Sequence, residues 1–338
     1  MSDAVDMPPV AAPSIDRKSK TMPCNPYLRK LQRRHFLWFD VLPFVGTLTA
    51  LALALVRPPT AVDLMLFLTL WLATGLGLTV GYHRLFSHRA FDTSPWMASL
   101  LLVMGSMAAR GPMVSWVAMH RRHHECADHD GDMHSPVARG DTPRKRLRAW
   151  AHSHMTWMVA HDYPDTAHYV PDIIRNRDLM RQNRRYYAWV ALGLVLPAAI
   201  GGLITQSFIG ALTGLLWGGV VRMFVVEQSM SAVNSFLHLF GSRPFDVTDD
   251  NSRNSAVVSL FTWGEGWHNN HHAFPNSASF GLAWYPYDIG YWFIGLLRRL
   301  GLVWNVRVPT SDKIARRNSV GSTLGPLSAS ALQQEAGH

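Results

Sequence analysis

FLWFDVLPFVGTLTALALALV, residues 36–56, runs for 21 residues with a single charge, Asp40, near one end. At about 1.5 Å per helical residue this is the length needed to cross roughly 30 Å of hydrocarbon. Arg57-Pro-Pro-Thr60 follows as a tight turn, because proline ends a helix and removes a backbone donor. Residues 62–80 then lead back, so the segment reads as a helical hairpin with both ends on one side of a membrane. The pattern recurs at 186–204 and 208–226, joined by Thr205-Gln206-Ser207. The fold class that follows is an all-α integral membrane protein with four transmembrane helices in two hairpins. The far turns carry only Arg57, whereas Arg29, Lys30, Arg33, Arg34, Arg184 and Arg185 flank the near ends. That asymmetry predicts that both termini are cytoplasmic.

Composition agrees. Of 338 residues, 48% are hydrophobic and 16% charged, against about 25% charged in a soluble domain, and the apolar excess comes in blocks. The formal charge of +9 does not point to nucleic acid: the basic residues flank the apolar blocks, as loops beside an anionic membrane face do. Cys24 and Cys126 make neither a disulfide framework nor a Cys-x-x-Cys motif. A thiolate ligand at Cys126 is unnecessary where imidazoles are plentiful. Residues 1–22 are polar and Pro-rich without a signal-peptide core, so they are expected to be disordered. The same is expected of the small-polar tail, 311–338. The segment between, 23–310, is one domain. Its 81–185 excursion includes a 14-residue apolar stretch, 95–108, too short to span and therefore interfacial or buried.

Three histidine clusters lie at or beyond the near ends of the spans: His83-Arg-Leu-Phe-Ser-His88, His120-Arg-Arg-His123-His124 and His268-Asn-Asn-His271-His272. Residues at i, i+3 and i+4 share a helix side, so each of the last two clusters can point one way. His83 and His88, five apart, fit two metals, or a helix locally distorted near its end, better than one face. Eight imidazoles exceed the four ligands of a structural zinc site, and an N-rich set suits iron, zinc, nickel or copper. No Glu-x-x-His lies on the predicted membrane helices and no His-Glu-x-x-His string occurs, which argues against a carboxylate-bridged bundle and a zinc hydrolase.

Gly81-Tyr-His83-Arg-Leu-Phe-Ser-His88-Arg89, His120-x-x-His123-His124 and Gly264-Glu-Gly-Trp-His268-Asn-Asn-His271-His272-Ala-Phe-Pro275 together resemble the membrane fatty acyl desaturases of the delta-9, stearoyl-CoA desaturase-like group. The third cluster is similar to bacterial members. The resemblance covers roughly residues 23–308. It implies a cytosolic helical cap holding a di-iron centre, with two Fe2+ ions as cofactors. It also implies that O2 and two electrons are used to place a cis double bond in a saturated long-chain acyl group, carried by CoA or by a lipid. Two further positions come from the resemblance: His238 as a ninth imidazole, and Asn234, four residues before it, as a ligand through water. Asp128, Asp132 and His134, which follow the second cluster, would hydrogen-bond the ligands' outer ring nitrogens or organise the loop. His35, His129, His152, His154, His161 and His168 read as interfacial or structural.

No appended haem domain is visible, so a separate ferredoxin-like or other small electron donor, with its reductase, is the expected partner. The bacterial inner membrane is the expected location. Breaking an unactivated C–H bond is beyond acid–base side chains and needs an oxidant made at a metal. A lipid or ring hydroxylase on the same scaffold is the nearest alternative. A histidine-rich metal transporter would want polar groups at mid-membrane, where these histidines are not. Gly75 and Trp71, roughly 12 and 18 Å along the helix from His83, are expected to line and then close an acyl tunnel. Relatives control chain length from the corresponding part of this helix.

Overall fold

The computed structural model describes residues 20–137, 142–159, 161–247, 250–282 and 286–323. Four helices have the length and apolar character to cross a membrane: α1 (Pro26–Ala54), α2 (Ala61–Ser87), α6 (Tyr186–Thr205) and α7 (Phe208–Phe236). They support a multi-pass membrane protein, as the hairpin reading required. Between them lie α3 (Pro95–Ser106), α4 (Met113–Cys126) and α5 (Pro143–His154); α8 (His268–Ala273), α9 (Ile289–Arg299) and α10 (Ser311–Thr323) follow.

Local chemistry sets the ends. Asn25 caps α1 by accepting from the Leu28 N–H at 2.9 Å, with Pro26 next in line. Thr60 and Asp63 form a reciprocal box at α2, 2.9 Å one way and 3.2 Å the other. The turn after α6 is closed by Gln206 in the left-handed region. In the second hairpin the helices touch backbone to backbone: a Cβ at Gly201 would lie 2.4 Å from the Gly210 carbonyl oxygen. Small residues permit that approach where lipid offers no hydrophobic drive between helices.

Three of the long helices run past the expected spans. α1 begins ten residues early, while α2 and α7 extend beyond 80 and 226 as rigid projections. α2 and α7 form the inner pair: 56% and 44% of their most apolar windows are buried, against 22% in α1 and α6. Arg222 binds α7 to its neighbours. Fully buried, it donates to the carbonyls of Met107 at 2.6 Å and Gly193 at 2.8 Å. A cation inside the bilayer is tolerated when carbonyls receive it.

The short apolar stretch forms α3, with Leu101 and Leu102 buried and Trp96 and Leu100 exposed. It is held to α2 by Tyr82 and Ser106, whose hydroxyls lie 2.8 Å apart.

The expectation of disorder needs correcting at both ends. Thr21–Met22 pairs antiparallel with Tyr163–Pro164; residues 1–19 lie outside the described residues. Residues 311–323 are helical, because the Thr310 carbonyl and hydroxyl accept from Ile314 and Lys313. Asp312 in the first turn suits the helix dipole. Residues 324–338 lie outside the described residues.

Candidate metal centre

The three clusters and His238 converge at the ends of α2 and α7 remote from the interhelical turns. Nine imidazoles resolve into two groups: His83, His88, His120, His124 and His271 in one, and His123, His238, His268 and His272 in the other. Within each group the facing nitrogens all lie within 4.8 Å of one another.

Two expectations change in detail. His83 and His88 meet in one group, so the distorted helix is realised rather than two separate metals. Residues Gly77–Ser87 are π-helical, and an i→i+5 hydrogen bond from the His88 N–H to the His83 carbonyl, 3.2 Å, brings the two rings to the same side. The other clusters do not each face one point: His123 and His271 part from their neighbours. Positions i+3 and i+4 differ by about 100° around a helix, enough to put consecutive rings on opposite sides of a boundary between two sites.

The nitrogens fit a metal better than they fit each other. His88 Nε2 lies 2.7 Å from His120 Nε2, His124 Nε2 lies 2.8 Å from His271 Nε2, and His238 Nε2 lies 3.0 Å from His268 Nε2. Ligands at right angles on one ion with ~2.1 Å bonds would stand about 3.0 Å apart. Burial, then the potential of neighbouring rings, pushes His88, His120, His124, His268, His271 and His272 well below the usual imidazole range. They are therefore neutral, the form that binds metal. The Nε2 atoms of His123 and His272 are buried and have no hydrogen-bond partner, although unpaired buried polar atoms are costly. One or two metal ions would satisfy them.

Four carboxylates hold the outer nitrogens. His123 Nδ1 faces Asp132 at 3.1 Å and His238 Nδ1 faces Asp128 at 2.9 Å. Glu265 and Asp250 were not foreseen in this role. Glu265 sits 2.5 Å from His83 Nδ1 and also receives the Thr79 hydroxyl; Asp250 pairs with His272. Against the penalty of burial, His238 holds the Asp128 carboxyl at about 2. The His134 ring lies tilted 4.6 Å from His123, and its backbone N–H donates to Asp132 at 3.2 Å. Burial lowers its ring to about 3. Cys126 stands in neither group; burial raises its thiol to about 11, and it donates to the Arg122 carbonyl.

These partners fix ring orientation and ligand basicity, and losing one costs about 10–100-fold in metal affinity or activity. Asp250→Asn is expected to release metal within that range during dialysis while the protein stays folded. Undiminished retention would show that Asp250 only braces the loop.

A cavity of about 260 Å³ reaches the centre at His120 and Asn234 and continues to Arg110, Glu227, Asp40 and His35. Leu31 and Tyr187 on its wall are exposed. Asn234 thus sits beside the first group, its carbonyl accepting from Ser153 at 3.0 Å. His35 and His161 are cavity wall rather than interfacial. His154 is structural, bonded to Ser235 and Gln228.

The acyl tunnel along α2 needs correcting. The space beside Gly75 is filled by Trp263: a Cβ there would lie 1.9 Å from the indole. Trp71 packs on the same indole, ring centroids 5.0 Å apart. Neither Gly75 nor Trp71 lines the cavity.

The chain matches the fatty acid desaturase family over residues 62–295. It is 47% identical over 304 residues to a hex-5-enoyl-[acyl-carrier protein] acetylenase of Moorena producens, covering 89% of this chain and 94% of that protein. It is 34% identical over 242 residues to an sn-1 stearoyl-lipid 9-desaturase of Anabaena variabilis, covering 70% and 81%. It is 32% identical over 295 residues to delta-9 acyl-lipid desaturase 2 of Arabidopsis thaliana, covering 85% and 91%. The matched region takes in all three histidine clusters and the whole second hairpin, so the chain belongs to the fatty acid desaturase family and is an oxidoreductase.

Proposed function

We propose that the chain is an oxygen-dependent di-iron desaturase that forms a cis double bond or removes hydrogen from an existing one. One iron is held by His83, His88, His120, His124 and His271. The other would be held by His123, His238, His268 and His272, while Asn234, which shares the cavity wall with His120, would contribute through water. The observation that carries this reading is the division of nine imidazoles, seven of them buried and two half-buried, into two metal-sized groups, four of them seated on carboxylates. Bound iron would supply the O2 activation that no side chain here can. The protein's own part is to hold nine rings in orientation, and to bring an acyl chain past His120 and Asn234.

For the substrate, we favour a short acyl group on an acyl carrier protein. The cavity, at about 260 Å³, falls just below the about 300–1,000 Å³ of ordinary ligand pockets. Trp71 and Trp263 occupy the ground along α2 where a long chain would continue. The Moorena relative's carrier-borne substrate supports this. A saturated long-chain group desaturated at delta-9, as acyl-CoA or lipid, is the second reading; the activities of the cyanobacterial and plant relatives favour it. Reconstitution with carrier-, CoA- and lipid-borne acyl groups, short to long, with a reducing donor and product mapping, separates the two. Gain of oxygen rather than loss of two hydrogens would mean a hydroxylase. No product from any form would overturn both.

A bacterial inner membrane with both termini cytoplasmic fits the basic flanks. Helix α5 then offers Arg144, Lys145, Arg146 and Arg148, all exposed, to an acidic carrier or a ferredoxin-like donor. Its far end touches the centre through Ser153. Neutralising all four is expected to raise KM for the soluble partner at low salt, with the effect shrinking as salt screens it. Unchanged KM at low ionic strength would leave these charges only a role at anionic lipid.

A further inference from the structure

The wall of the cavity holds charges that metal binding does not use. Arg110 Nη1 is paired with Glu227 Oε1, each side chain only 6% exposed. Ser231 donates to the same oxygen at 2.9 Å. Asp40, 7% exposed, lines the same cavity wall as Glu227 and Arg110. Of the other titratable groups around them, His35 lies beside Glu227 and Arg110, His161 beside His35, and Tyr186 and Tyr187 belong to the neighbouring α6. Two carboxyls therefore face one guanidinium that cannot give up its proton. Burying both as carboxylates would leave an uncompensated charge. The cluster accordingly keeps one exchangeable proton, on the carboxyl pair or on His35.

Desaturation requires such protons. The balance is –CH2–CH2– + O2 + 2 e⁻ + 2 H⁺ → –CH=CH– + 2 H2O, with the electrons from a one-electron donor protein; the alkyl C–H bonds are oxidised and O2 is reduced. Two protons must reach ligands that are almost wholly buried. The cavity joins the acid cluster to His120 and Asn234, so a proton held on the carboxyls has a route toward the ligands.

We infer that the Asp40–Glu227 pair, poised by Arg110, stores and supplies a proton for the reduction of O2 to water. This rests on the di-iron desaturase reading, and its test separates the two. In the metal-free full-length protein, infrared spectroscopy should show the carbonyl stretch of a protonated carboxyl that shifts in D2O. Asp40→Asn and Glu227→Gln should each remove it. In the iron-loaded enzyme both variants should lower kcat by about 10²-fold or more, in the range of lost proton transfer. The acyl KM should stay the same, and donor electrons should be diverted to hydrogen peroxide. Asp40→Asn leaves the Arg110–Glu227 pair intact, so it remains informative if Glu227→Gln folds poorly. The inference is overturned if no protonated carboxyl is seen, if coupling and kcat are unchanged, or if KM rises while kcat holds. A wild type that desaturates nothing sinks the functional reading, while the infrared result still reports on the acid pair.

Discussion

His271→Ala is expected to abolish turnover and to lower bound iron from two ions per chain toward one. His271 Nε2 lies 3.0 Å from His83 and 2.8 Å from His124, at the middle of the five-nitrogen group, and it contributes nothing to the other. His272→Ala should remove the other ion instead, since it leaves that group three imidazoles. Loss of even an outer partner costs about 10–100-fold, so loss of a ligand should exceed that. Metal analysis of iron-replete, detergent-purified protein checks the stoichiometry, and membrane yield checks that folding survives. A wild type with one iron per chain, or one that turns over with zinc alone, would contradict the di-iron reading.

Trp263→Ala should lengthen the acyl chains the enzyme accepts, and Trp71→Ala should do so to a smaller degree. Trp263 is fully buried between Gly75 and Trp71, and removing its indole opens space where α2 passes beneath the first histidine group. Such a truncation destabilises by about 3–5 kcal/mol, so the assay should be run cold and normalised to bound iron. Gly75→Leu, which the sequence alone would treat as a shortened tunnel, should instead displace Trp263 and disturb the loop that leads into His268. Products from a mixed pool of chain lengths decide the matter. An unchanged profile at normal turnover would show that chain length is set elsewhere, at Arg110 or Met230 in the cavity wall.

Much of the scaffold was legible because its signals are local. Hydropathy over some twenty residues marks a span, and Arg57-Pro-Pro marks a turn, whatever surrounds them. The ligand types were legible for the same reason. Their division into two groups was not, because a difference of one residue in register decides which side of α4 or α8 a ring leaves from. Glu265 and Asp250 escaped notice because a carboxylate partner is defined by where the chain returns in space, not by its spacing from a histidine. The one available signal was chemical: every metal-bound imidazole needs an acceptor for its other nitrogen. Glu265 sits inside the third motif, and Asp250 in the acidic loop before it. Trp263 was likewise invisible, since nothing near Gly75 in sequence reveals which distant side chain fills its missing Cβ.

Arg222 bears on how the chain enters its membrane. An arginine at the centre of a single inserting helix costs about 2.5–3.5 kcal/mol; Arg222 lies toward the end of its span, where the cost is smaller, and Glu227 follows just beyond it. The acceptors that Arg222 finds lie on α6 and at the end of α3, and both are synthesised before it. The hairpin α6–α7 is therefore expected to leave the translocon as a unit, with Gly193 already in place. Separating the two helices by a long inserted linker should impair integration of α7 more than that of α6, a difference readable by glycosylation mapping of each turn.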